Sequence, residues 1–209
     1  MTAEREPIFN APWPVLALVA AIVGGYALQG LAPQDWLFAR YGFSPAGFAA
    51  GERVGLVSAL FLHGSWGHAL LNAAGLLAFG SPVARLFGPR AGGVLAFFLF
   101  YLVCGAFSSW TYALLHPGEA VVLVGASGAV SGLMGAVSRL LAGRGQLGPF
   151  FSRTVIGMAA AWLIVNLIVG LLGYAPGVGE TPVAWEAHLT GYAAGLLLIG
   201  PAARILRRA

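Results

Sequence analysis

A serine among glycines and a histidine among small residues are the two features of this chain that can do chemistry together. Ser127 sits in Gly125-Ala126-Ser127-Gly128, where a glycine-rich stretch turns into an apolar run. If that run is a helix, the N–H groups of its first turn have no partners inside the helix and carry the positive end of its dipole, so they can receive an oxyanion. Taken alone, such a serine is also a common helix cap. The segment departs from the soluble hydrolase elbow G-x-S-x-G, because position 129 is Ala. His188 opens Ala187-His188-Leu189-Thr190-Gly191, and the run continues to Gly195. Gly191 and Gly195 fall on the helical face of His188, as Gly128, Gly132 and Gly135 do beside Ser127. Small residues at that spacing let two helix backbones approach closely. Close approach would bring an imidazole nitrogen within the roughly 2.6–3.2 Å needed to take the serine proton.

A third group lies earlier, in His63-Gly-Ser-Trp-Gly-His68-Ala-Leu-Leu-Asn72. His68 and Asn72 are one helical turn apart, so both can donate to an oxyanion developing in a water-poor site. His63 precedes that helix and is expected to brace the first external loop. No carboxylate is placed to orient the base: Glu186 is two residues before His188 and points to another face, while Asp35, Glu119 and Glu180 fall in loops. The expectation is a Ser127/His188 dyad. The histidine spacing is not H-E-x-x-H and no acid stands beside it, so no metal is expected, nor any cofactor. The lone Cys104 rules out an internal disulfide.

The elements that must position these groups follow from composition. Of 209 residues, 59% are hydrophobic and 9% charged, far too little charge to cover a soluble domain. Marking the charged residues leaves six long gaps, each near the twenty or so apolar residues that cross a bilayer. Six transmembrane helices are expected, near 13–31, 66–87, 92–115, 127–142, 154–173 and 187–203, in a single membrane domain spanning 1–209. The first is read as a span rather than a signal peptide, since it follows Glu4-Arg5-Glu6 and lacks a good cleavage site.

Arginines set the orientation. Arg85 and Arg90, then Arg139, Arg144 and Arg153, then Arg204, Arg207 and Arg208 mark one side as cytoplasmic, which puts both termini there. The net charge of +4 is thereby a topology signal; there is no basic domain to bind nucleic acid. With this topology His63, His68, Asn72, Ser127 and His188 all fall near the outer ends of their helices. Polar groups at one depth in a bilayer mark a site, whereas a transporter would place them at several depths. The stretch Gln34 to Leu62 is rich in aromatic residues and is expected at the outer interface, and His116 is expected to be solvated.

The three elements together resemble those of the rhomboid proteases: His63 to Asn72 is similar to the family's H-x4-H-x3-N, Gly125 to Gly128 to its G-x-S-G, and His188, Gly191 and Gly195 to its A-H-x-x-G-x-x-x-G. The likeness runs from about Val54 to Leu198. It implies an all-α, six-helix membrane bundle and a serine endopeptidase, with Ser127 as nucleophile, His188 as base, and His68, Asn72 and the Ser127 amide around the oxyanion. It implies transmembrane proteins as substrates, cut near the outer face of the bilayer. The absence of an appended soluble domain and of a transit peptide points to a bacterial cell membrane. An inactive, client-binding member of the same fold is the alternative. Two departures stand out: the family's Trp-Arg pair in the first external loop has only Glu52-Arg53 as counterpart, and Ser131 stands where many members carry an aromatic residue against the catalytic imidazole.

Overall fold

The computed structural model describes residues 10–173 and 183–208. Glu4, Arg5, Glu6 and Glu180, used above to bound the apolar stretches, lie outside the described residues. Each of the six stretches contains a helix: α1 (Trp13–Gln29), a continuous second helix from Trp66 to Phe87, α7 (Ala91–Leu115), α8 (Ser127–Ala142), α9 (Arg153–Leu172) and α10 (Trp185–Arg208). Among the described residues there is no β-strand beyond isolated bridges. Among the described residues four helices are long and apolar enough to cross a membrane: Trp66–Phe87, Ala91–Leu115, Arg153–Leu172 and Trp185–Leu206. The other two fall short on length, α1 with 17 residues and α8 with 16, against the twenty or so a full crossing takes.

The second helix is not uniform. α5 (Trp66–Gly75) passes through a π-helical turn, Leu76–Gly80, into α6 (Ser81–Phe87). Pro82 supplies the cause, since its ring and missing N–H disrupt the ladder one turn earlier. Beside it the Leu77 carbonyl accepts the Ser81 hydroxyl at 2.7 Å.

α8 is the central helix, with ten of its residues buried, from Gly128 to Leu140. Around it Ile22, Leu76, Phe97, Tyr101, Cys104 and Ile199 form one core with Leu133. Lipid is as apolar as these side chains, so dispersion and close backbone approach hold the helices together rather than escape from water. The glycines show this. A Cβ at Gly191 would collide with the Gly128 carbonyl, one at Gly195 with the Gly132 carbonyl, and one at Gly135 with the Tyr192 carbonyl. α8 and α10 thus meet backbone to backbone. α9 is peripheral: on it only Val155 and Asn166 are buried, while Leu163, Ile164 and Val165 are exposed.

The stretch between α1 and the second helix folds into short helices, α2 (Gln34–Tyr41), α3 (Pro45–Ala49) and α4 (Gly55–Ser58), followed by a 3₁₀ turn, Ala59–Phe61. Ser44 caps α3 by accepting the Gly47 N–H at 3.0 Å. This region holds the approach to α8 by main-chain bonds. Phe43 and Leu123 exchange N–H···O contacts at 3.0 and 2.7 Å, and the Gly125 N–H donates to the Ala59 carbonyl at 2.9 Å. Arg53, out of register with the family's pair, lies over the Phe48 ring at 4.1 Å and donates to the Phe48 carbonyl at 2.6 Å.

Candidate active site

Ser127 begins α8 after Gly125, whose φ of +117° suits glycine. A side chain at Gly125 would also strike the His68 imidazole, with Nε2 only 2.5 Å from the would-be Cβ. Both the turn and the space require glycine there. On α10 the position of His188 is fixed by its neighbours: the Ser108 hydroxyl of α7 donates to the Ala187 carbonyl at 2.7 Å, and the hydroxyls of Thr111 and Thr190 lie 2.7 Å apart. The glycine seam does the rest. His188 Nε2 stands 2.8 Å from Ser127 Oγ.

The other ring nitrogen also has a partner, Asn166 Oδ1 on α9, at 2.8 Å. Asn166 is itself 2% exposed, and its Nδ2 donates to the Trp162 carbonyl at 2.8 Å. A backbone carbonyl can only accept, so the amide nitrogen must face it and the amide oxygen must face His188. His188 Nδ1 therefore carries the proton, and in the neutral ring Nε2 is the bare nitrogen turned toward the serine hydroxyl. The ring is 6.1 Å from that of Trp162, tilted by 35°. The Ser131 hydroxyl bonds back to the Ser127 carbonyl at 2.7 Å.

His68 and Asn72 come from the N-terminal half of the second helix, capped by Ser65, which accepts the His68 N–H at 3.0 Å. Asn72 is buried and gives one amide hydrogen to the His68 carbonyl at 2.9 Å, which leaves the other available. The His68 ring lies against Gly125, two residues before Ser127. His63 is fully buried, edge-on to His68 with ring centroids 5.0 Å apart. Its main chain is gripped by Gln29 of α1, whose Nε2 donates to the His63 carbonyl at 3.0 Å while Oε1 accepts the His63 N–H at 2.9 Å. Among the described residues no three His, Cys, Asp or Glu side chains converge as metal ligands.

These distances join one serine hydroxyl, one imidazole of defined tautomer and one helix N-terminus. A family model described as the Rhomboid domain matches residues 50–204. The chain belongs to the rhomboid family. Its curated relatives include three from Arabidopsis thaliana. RHOMBOID-like protein 4 is 36% identical over 68% of this chain, RHOMBOID-like protein 5 is 32% identical over 71%, and mitochondrial RHOMBOID-like protein 12 is 30% identical over 57%. The chain aligns with 32%, 43% and 39% of their respective lengths, so it spans well under half of each.

For a rhomboid chain with Ser131 in place of an aromatic residue, what holds the imidazole is the question the sequence leaves open, and Asn166 is the group found there. Unlike Asn72, it stands in no histidine motif, so the sequence reading passed over it. The signal was available: one Asn in the apolar α9, Arg153–Leu172, is as costly in lipid as the groups that were selected. Gln29 was missed likewise. His116, expected to be solvated, instead stacks on Tyr112 at 4.2 Å and pairs with Glu119 at 3.0 Å and Glu186 at 3.4 Å. Its pKa is raised, first by the hydrogen bond to Glu119, so this clasp ties the loop after α7 to the first turn of α10.

Proposed function

We propose that the chain is an intramembrane serine endopeptidase in which Ser127 attacks a peptide carbonyl and His188 serves as base. The observation that carries this reading is the 2.8 Å contact between Ser127 Oγ and His188 Nε2 at the N-terminus of α8. His188 takes the hydroxyl proton as the Ser127 oxygen bonds to the carbonyl carbon, then passes it to the amine leaving group. The oxyanion is received by the Ser127 N–H, the free amide hydrogen of Asn72 and the His68 ring. Water, deprotonated by the same imidazole, then releases the acyl group from Ser127. Catalytic roles for Ser127, His188, His68 and Asn72 belong to this proposal, with His63, Gly125, Gly128, Gly132, Gly191 and Gly195 shaping the site.

The reading includes six spans, with α1 and α8 completing the bundle. At 1.5 Å per residue, the 16 residues of α8 rise about 24 Å, short of the roughly 30 Å hydrocarbon layer. Ser127 then lies below the outer surface, reached by the loop that Phe43 and Ala59 hold down. Substrates are transmembrane segments of other membrane proteins. The arginine pattern supports both termini in the cytoplasm, and a bacterial cell membrane is kept as part of this reading although the relatives named above are plant proteins, one of them mitochondrial.

The test is covalent labelling of Ser127 by a fluorophosphonate in detergent-solubilised protein. Labelling is expected in the wild type and absent in Ser127→Ala and His188→Ala. A folded wild type that takes no label and cuts no single-span substrate would assign the chain to the inactive, client-binding class.

A further inference from the structure

We infer that Asn166 is a positioning residue that decides which nitrogen of His188 bears the proton and holds the imidazole plane toward Ser127. The inference rests on the reading of Ser127 and His188 as nucleophile and base. Four observations meet at this side chain. Asn166 is 2% exposed on a helix where only one other residue is buried. Its oxygen is 2.8 Å from His188 Nδ1. Its nitrogen is committed to the Trp162 carbonyl, which prevents the amide from flipping. Ser131, one turn after the serine on α8, spends its hydroxyl on the Ser127 carbonyl of its own helix.

A neutral imidazole has two tautomers, and only the one with Nδ1 protonated presents a lone pair to the serine. The other would set the Nδ1 lone pair against the Asn166 oxygen and put a donor against the serine hydroxyl. Asn166 thus opposes the unreactive form by direct repulsion. When the serine proton arrives, the amide oxygen also faces the new positive charge. A carboxylate would do this more strongly, but a buried charge carries a desolvation cost that an amide avoids. An uncharged orienting group suits a site inside a bilayer.

Two measurements test the role. Uniform ¹⁵N-histidine labelling, with the His188 signals assigned by their loss in His188→Gln, should show Nδ1 protonated and Nε2 bare in the neutral wild type. In Asn166→Leu the signals should move toward a mixture of tautomers. On a single-span substrate, Asn166→Leu should lower kcat by about 100-fold or more with KM changed less than about threefold, as for loss of the group that sets a catalytic tautomer. Asn166→Asp, which keeps an acceptor oxygen, should recover most of that loss. Asn166→Ala serves if the leucine variant does not fold. A bare Nδ1 in the wild type, unchanged tautomers in Asn166→Leu, or kcat within twofold of wild type would each overturn the inference. Failure of the wild type to react with fluorophosphonate overturns the protease reading instead, because the tautomer measurement needs no turnover.

Discussion

Both ring nitrogens of His63 are buried. Burial, and next the neighbouring His68, lower its pKa from 6.5 to about 3. In the folded protein the ring stays neutral where the unfolded chain would protonate it. A depressed pKa gives stability that is full above pH 6.5 and drains as the pH falls toward 3, since the unfolded state then binds the extra proton. Thermal unfolding in detergent should therefore show the midpoint falling between pH 7 and 4. His63→Leu should flatten that slope whatever it does to the midpoint at pH 7. An equally steep slope in the variant would locate the acid sensitivity elsewhere. The candidate nucleophile and base were legible from sequence because glycines surrounded them. Asn166 and Gln29 were not, since neither stands in a histidine motif as Asn72 does and neither interrupts an apolar run with a charge.

The glycine seam sets a limit on what α8 and α10 can tolerate. The Gly191 position faces the Gly128 carbonyl, so a side chain there must drive the two helices apart. Separation of about 1 Å between reacting groups can cost on the order of 100-fold in rate. Gly191→Leu is accordingly expected to lose activity as completely as His188→Ala, read as cleavage of a single-span substrate by protein that still elutes as a folded species. Wild-type turnover in that variant would mean that the close approach is dispensable. Helix positions agreed with the apolar stretches to within a few residues, because lipid leaves the backbone no alternative to the helix. The π turn and the short helices between α1 and the second helix were not read. Pro82 as a ladder breaker and Ser44 as a cap were visible, but the first fell inside a stretch interpreted by hydropathy and the second inside one interpreted by its aromatic residues.

At the scale of the molecule the proposed orientation makes a simple demand. Arg144 lies in the connection after α8, and Ala120 in the connection before it; both are exposed. In a Cys104→Ala background, Ala120→Cys should react with an impermeant thiol reagent added outside intact cells, and Arg144→Cys should not. The reverse pattern would invert the topology. Whole-chain order also bears on how this protein matures. Gln29 closes α1 and holds residue 63 through both polar atoms of its side-chain amide, as a neighbouring strand would hold a backbone. α1 thus carries the brace for a loop synthesised more than thirty residues after it. The proposed oxyanion side of the site stays unfinished until the two meet. Proteolytic processing that removed α1 as a leader would detach that brace and leave His63, and the His68 ring packed on it, without their anchor.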